Sequence, residues 1–494
     1  MGRVLIAVLL AFGTFQGIPR SATDVVSYHF RIVVDSSITA AATVTWRGGG
    51  DTLVLDLVGM TVDSVGGGVP FTRDSTTLRI AAGARRSVTV YYHGRPSDGL
   101  IIRDNARGRP SWFGDNWPNR ARFWLPTVDH PSDKARVTWD VVAPPGYRVV
   151  TNATGTSAIP TYCMVIGVAP MTVSTHRAAS GRIPIEVWAY PEDSAFADSV
   201  PFRRATEMVE IMERLVGRYS YERLAHVQSS TRYGGMENSS AIFYAENGYV
   251  RRRMGEGVVR HETAHQWFGD AVTERDWHHV WLSEGFATYF DAVLAQQLDG
   301  DSAYRRVMAG SRASYMRSEA VSRPIIDTTI TDPNRLLNAN SYQKGGWVLR
   351  MLRQEVGDSA FFRGVRSYYR RWKDSTALSA DFQREIERAA GRRLEWFFRQ
   401  WLWQPGYPRL DVAWRYDETT GHAALTVRQT QPGRFRMPTV PIVFKDEAGE
   451  IQRYRLTLDE RYREQTASFT VRRPPTVLEV DPDGTLLLSA EVRR

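Results

Sequence analysis

The spacing of apolar residues changes twice along this chain, and each change implies a different fold. From about Asp24 to His176, runs such as SYHFRIVVD, AATVTWRG, DTLVLDLVG, TLRIAAG and RSVTVYYHG alternate with period two, broken by Gly, Asp and Pro. Helical spacing is missing there, which predicts an antiparallel β domain over 23–180. Around Pro201 the period lengthens. ATEMVEIMERLVGRY, GVVRHETAHQWFG, LSEGFATYFDAVLAQQL and YQKGGWVLRMLRQEVG carry apolar residues three and four apart, predicting a mainly helical domain over 181–406. Gly391 interrupts ADFQREIERAAGRRLEWFFRQWL, so that segment reads as two helices. After Pro405-Gly406-Tyr407-Pro408 the strand pattern returns (LDVAWRYDE, AALTVRQTQ, TVPIVFKDE, QRYRLTLDE), predicting a small β-sandwich over 407–494. The fold class is therefore multidomain α+β, as a length of 494 residues requires.

Composition narrows the function classes. Hydrophobic residues make up 43% and charged residues 24%, the balance of a globular protein rather than a disordered one. The net charge of +9 is spread among nearly as many acids, and its densest run is only Arg251-Arg252-Arg253. That pattern reads as a solvated face, and no nucleic-acid partner is expected. Cys163 is the single cysteine, excluding an intramolecular disulfide and any cysteine-based zinc site. Arg3 followed by the apolar run Val4–Gly13 has the form of a signal peptide, assigned to 1–22, with a buried strand or helix as the competing reading. Export to the periplasm or the medium follows from it. No other apolar run reaches membrane-spanning length, so no integral membrane segment is expected once the signal is removed. The sequence carries no signal of oligomeric state.

The chemistry centres on RHETAHQWFGD, Arg260–Asp270. His261 and His265 are four apart in a helical pattern, so both imidazoles leave one face about one turn apart and can share a tetrahedral ion. Glu262 follows the first histidine and can reach a metal-activated water without coordinating. Two surface histidines on a helix would look the same, so a third ligand is required. Glu284, near the start of WLSEGFATYF, comes after 18 intervening residues, enough for a loop and an antiparallel return. It completes a His-His-Glu set suited to one catalytic Zn2+, with a position left for water; the competing reading is a carboxylate at a helix N-terminus. His278 and His279 read as surface or supporting groups.

HETAHQWFGDAVT followed by WLSEGFATY at this spacing resembles the gluzincin aminopeptidases, the family of aminopeptidase N and leukotriene hydrolase. The resemblance implies a thermolysin-like catalytic domain. It extends to NRARFWLPTVDHPSDKARVTW and to FFRQWLWQPGYP, which is similar to the close of the family's catalytic domain.

An aminopeptidase also needs a fixed anion for the substrate's α-ammonium, because a zinc, a water and a glutamate do not choose the end of a chain. Gly234-Gly235-Met236-Glu237-Asn238 resembles the family's G-x-M-E-N signature. Its glycines would let the backbone run beside an extended peptide, and by resemblance Glu237 takes the α-amino group; a Gly-Gly turn followed by an ordinary acid is the competing reading. Tyr342, with Lys344 and Gly345, matches the family's Y-x-K-G, which implies a phenol that donates to the developing oxyanion. The expected activity is zinc-dependent removal of single N-terminal residues from peptides with a free N-terminus. An endopeptidase or an epoxide hydrolase on the same site, and a non-catalytic scaffold, are the alternatives. The chain departs from the family where a second amine-binding Gln or Glu is usual. Trp117 stands there, between Asn116 and Pro118, with Asn116 or Asp115 as possible substitutes. Asp270 and Ser283 stand where relatives often carry Asn. The strand pattern runs on to Arg494, so the C-terminal helical domain of the large members is not expected.

Overall fold

The computed structural model describes residues 23–178 and 181–494. The signal-peptide reading of 1–22 lies outside the described residues.

The N-terminal region is built on a six-stranded sheet running from Ile159–Pro160 through Lys134–Val142, Thr23–Val34, Ile38–Gly48 and Ser87–Gly94 to Thr61–Val65. Along Thr23–Val34, side chains alternate between buried and solvent-facing, so the period-two pattern becomes one packed face bearing Tyr28, Phe30 and Ile32. Most pairs are antiparallel, as the pattern predicts. The pairing of Thr23–Val34 with Lys134–Val142 is parallel, a long-range join between segments over a hundred positions apart, such as Tyr28 with Val137, that periodicity cannot reveal.

A five-stranded sheet opens the central region, in the order Thr172–Ala178, Ile183–Ala189, Leu224–Ser229, Ala241–Ala245, Gly235–Met236. The two strands flanking residue 180 pair with each other and both belong to this sheet. Its last member is a two-residue edge strand, antiparallel to Ala241–Ala245.

Among the described residues, ten α-helices follow the loss of the strand texture: α1 (Ser194–Ser199), α2 (Ala205–Leu215), α3 (Glu246–Val250), α4 (Glu256–His265), α5 (Trp281–Asp299), α6 (Asp301–Arg317), α7 (Gly345–Val356), α8 (Asp358–Trp372), α9 (Ser379–Ala390) and α10 (Glu395–Trp403). Gly391, at φ +68°, closes α9 in the left-handed region, and the segment divides into two helices there. Helix α5 is apolar on almost every side and is the buried axis of the region, with α4, α6 and α7 packed on it. Helix α7 passes so close to α5 that a Cβ on Gly285 would lie 2.9 Å from the Cα of Gly345. On the other flank, Arg260 Nε donates to Asp291 Oδ1 at 2.7 Å, fixing α4 along α5 one residue before His261. The C-terminal sandwich packs a four-stranded sheet against a three-stranded one, with Leu410, Val412, Leu425, Val440 and Phe444 in its core.

Candidate active site

Helix α4 presents His261 and His265 toward the first turn of α5, which carries Glu284. The two Nε2 atoms are 3.1 Å apart, and each lies 3.3 Å from Glu284 Oε2. That oxygen is shielded from solvent and makes no hydrogen bond of good geometry among the described residues. A tetrahedral zinc with ligand bonds of roughly 2.0–2.1 Å has ligand-to-ligand edges of about 3.3 Å. Two nitrogens and an orphaned carboxylate oxygen at this spacing therefore fit a zinc ion as they stand.

The environment orients these donors. His265 Nδ1 lies 3.0 Å from the Phe268 carbonyl and 3.0 Å from Ser283 Oγ. Donation from Nδ1 to the carbonyl leaves the Nε2 lone pair facing the centre. Gly269 makes this arrangement possible: at φ +117°, a Cβ there would collide with Ser283 Oγ. Ser283, where relatives often carry Asn, is thus a direct partner of a ligand.

Glu262 is buried beside the edge strand. A Cβ on Gly235 would overlap Glu262 Oε1, so only glycine admits that carboxylate. Burial holds Glu262 well above the usual carboxylate range; His265 opposes the shift, while Glu237 and Glu284 add to it. A divalent cation on the three donors would push it down again.

Glu237 follows the edge strand and is 6% exposed. Burial pushes its carboxyl up to about 7. Candidate ligand atoms of Glu237, Glu262 and His265 lie within 4.8 Å of one another. The backbone here is held from the end of α4. Gln266 Nε2 donates to the Glu237 carbonyl at 2.9 Å and to Asp270 Oδ2 at 2.6 Å, while Gln266 Oε1 accepts from Ser240 N at 2.8 Å. Asp270, the other departure from the family, serves this clamp.

Tyr342 lies in a π-helical turn, Asn340–Lys344, that leads into α7. Its ring stacks on His261, centroids 6.0 Å apart and planes 15° apart. Burial, with Glu284 adding to it, raises the phenol well above 10, so it is protonated and can donate. Lys344 is buried and donates to the Gln404 carbonyl at 2.8 Å, anchoring the turn to the end of α10.

All nine residues singled out from sequence (Gly234, Gly235, Met236, Glu237, His261, Glu262, His265, Glu284 and Tyr342) line one cavity of about 210 Å³. Trp117, Tyr233 and Leu337 complete it. Tyr233 stands directly before the Gly234–Asn238 motif and is the residue there that the motif leaves out, whereas Leu337 reaches the cavity from a segment with no motif of its own. A larger hollow of about 870 Å³ lies between α7, α10 and the sandwich, away from these groups. The motif residues line the smaller one.

The proposed substitutes for the missing amine contact are engaged elsewhere. Asp115 accepts from Arg120 Nη2 at 2.9 Å, and Asn116 holds the Met164 carbonyl and the Trp124 indole N–H. Neither lines the cavity, and Trp117 occupies that wall instead. His278 bridges Asp276 and the Ile330 carbonyl, and His279 meets Ser379, so neither is a ligand.

Two histidines one turn apart, a carboxylate from a facing helix and a buried neighbouring glutamate form a donor set of the kind that gluzincin metallopeptidase centres use. Residues 201–401 match the model of the peptidase family M1 domain. It is 26% identical over 413 residues to a leucyl aminopeptidase of Saccharolobus solfataricus, an alignment covering 74% of this chain and 51% of that protein. The chain thus spans about half the length of the curated relatives it matches. Its fold matches that of Legionella pneumophila aminopeptidase A in complex with aspartic acid (TM-score 0.81, 18% identity, 96% of this chain and 60% of that one). It also matches a mutant M1 zinc metallopeptidase of Deinococcus radiodurans bound to a Tyr-Ser-Ala substrate (TM-score 0.68, 24% identity, 78% of this chain and 95% of that one).

Proposed function

We propose that the protein is a zinc-dependent aminopeptidase that removes single residues from peptides with a free N-terminus. The observation that carries this reading is Glu237, a buried carboxylate beside Glu262 and His265 at the end of a sheet edge. A buried anion in that place rewards a substrate ammonium and rejects the neutral amide of an internal segment, which would leave the carboxylate unpaired. The naming of the similar S. solfataricus protein as a leucyl aminopeptidase agrees with it.

His261, His265 and Glu284 would hold one zinc ion, which when bound polarises the scissile carbonyl and acidifies water. The edge strand Gly235–Met236 has no strand on its outer side among the described residues, and an extended peptide can pair there. Glu237 receives the α-ammonium and so sets the first peptide bond at the reacting centre. Glu262 accepts the proton of the attacking water and returns it to the departing amine. The Tyr342 hydroxyl donates to the oxygen on which negative charge develops. With its nine motif residues and three others on the walls, the 210 Å³ cavity is smaller than typical small-molecule sites of about 300–1,000 Å³, which suits one terminal residue.

The run Val4–Gly13 after Arg3 supports export, and N-terminal sequencing of the mature protein tests that reading. No helix among the described residues is long and apolar enough to cross a membrane.

Hydrolysis of a panel of aminoacyl amides and their N-acetylated counterparts, with and without a chelator, tests the activity. Chelator-sensitive release from free-amine substrates alone is expected. Equal cleavage of blocked substrates would overturn the aminopeptidase reading.

A further inference from the structure

Away from the catalytic cavity, Arg350 on α7 is buried without an anion. It is 9% exposed, and its guanidinium carbon stands 4.5 Å from the Trp347 ring centroid and 5.3 Å from that of Tyr304 on α6. The rings screen the charge but offer no in-plane lone pair to its N–H groups. Among the described residues, none of those groups has a hydrogen-bond acceptor and no carboxylate is within ion-pair distance. A guanidinium cannot relieve this by losing its proton, so its N–H groups are left to the adjoining hollow, where an anion can take them.

Arg350 lines a hollow of about 350 Å³ between α6, α7 and the turn 481–488 of the sandwich, which also receives Arg305 and Arg312. The nearby acids are already committed. Asp481 accepts from Thr485 N and Oγ1, both at 2.8 Å, and from Leu486 N at 3.0 Å; Arg312 Nη1 is 3.8 Å from it. Asp483, on the wall, is paired with Arg453. Arg305 makes no ion pair among the described residues. Arg312 Nη2 also donates to the Leu488 carbonyl. Three guanidiniums thus face two carboxylates, Asp481 and Asp483, of which the second is already paired with Arg453. Ala309, Ala313 and Met316 supply an apolar floor.

We propose that this hollow binds a small ligand with an oxyanion head, a phosphoryl or carboxylate group, at the seam between the helical region and the sandwich. Arg350 and Arg312 take the head group by charge-assisted hydrogen bonds, Arg305 adds attraction at the mouth, and the alanines and Met316 cover an apolar body. Because it touches both sides of the seam, the ligand ties the sandwich to α6 and α7 and raises the stability of the whole.

The test is titration calorimetry and thermal melting of the full chain with inorganic phosphate and, separately, succinate, against KCl at equal ionic strength. Saturable binding and a rise in Tm are expected with at least one probe, and which of them binds identifies the head group. Arg350→Met is expected to abolish the effect. Arg305→Ser changes an exposed side chain, so it keeps the fold and should weaken binding about tenfold, the scale of one lost charge-assisted contact. No saturable signal beyond KCl would overturn the proposal. So would binding undiminished by Arg305→Ser, which would place the anion elsewhere, the metal centre included.

Discussion

Gly285 and Gly345 bring α5 and α7 together backbone to backbone: a Cβ on the first would meet the Cα of the second at 2.9 Å and the Ser341 carbonyl at 3.1 Å. This contact lies one residue beyond Glu284 and three beyond Tyr342. It therefore sets the distance between Glu284 and Tyr342, the proposed metal ligand and the proposed oxyanion donor, two groups from different motifs.

Gly285→Ala must push these helices apart. Overpacking of this kind costs about 1–3 kcal/mol. A lowered Tm is expected, with a fall in kcat of about a hundredfold as Tyr342 moves off its target. Unchanged kcat in the folded variant would show that the helix spacing does not position Tyr342.

Gly235→Ala places a methyl on top of Glu262 Oε1. The carboxylate has to swing away while His261, His265 and Glu284 keep their places. Full zinc content by metal analysis is expected alongside a loss in kcat of about 10²–10⁴, the usual contribution of a positioned general base.

Ser283→Ala removes one partner of His265 Nδ1 and leaves the Phe268 carbonyl. Loss of such a supporting group typically weakens metal affinity about 10–100-fold, with the low end expected because one partner remains. Competition with a chromophoric chelator measures it. Affinity equal to that of the parent would mean the carbonyl alone orients the ring.

Glu237→Gln keeps the shape but removes the charge that receives the substrate's ammonium. Activity on free-amine substrates is expected to fall by about a hundredfold or more, while any residual cleavage of N-acetylated substrates stays level. A parallel loss on both would assign Glu237 a structural role.

Asp133 provides a pH test remote from the candidate metal site. It is buried in the N-terminal region, where Oδ1 accepts from Val25 N at 3.2 Å, Oδ2 has no hydrogen-bond partner among the described residues, and burial pushes its carboxyl up to about 8. Between the ordinary value of 3.8 and about 8, the folded state holds a proton that the unfolded state has lost. Stability from this group is therefore complete below 3.8 and declines as pH rises through that window, by about 1.4 kcal/mol per unit at most. Asp133→Asn stays neutral and still accepts from Val25. Denaturant melts from about pH 5 to 8 should show a flatter decline for the variant, and identical slopes would refute the assignment.

Much of the site is legible in the sequence because its residues sit at short, fixed spacings. His261, Glu262 and His265 are placed by helix periodicity, and the burial of α5 shows why WLSEGFATYF is nearly continuous in apolar residues around Glu284. The two-helix division at Gly391 is legible for the same local reason. Asp115 and Asn116 show where local reading stops. Both lie near Trp117 in sequence, yet their partners are Arg120, Trp124 and Met164, and only the fold reveals that they are spent there.

The sequence by itself determined the order of secondary structure and a candidate donor set for one metal ion, since both follow from periods of two and 3.6 residues and from side-chain chemistry. Only the tertiary structure decided which segments meet. The contact of Gly235 with Glu262, the approach of Gly285 to Gly345, the clamp of Gln266 on the Glu237 backbone and the unpaired Arg350 all join positions from different elements. Those junctions depend on the three-dimensional packing of helices and sheet edges, a property that no local spacing encodes.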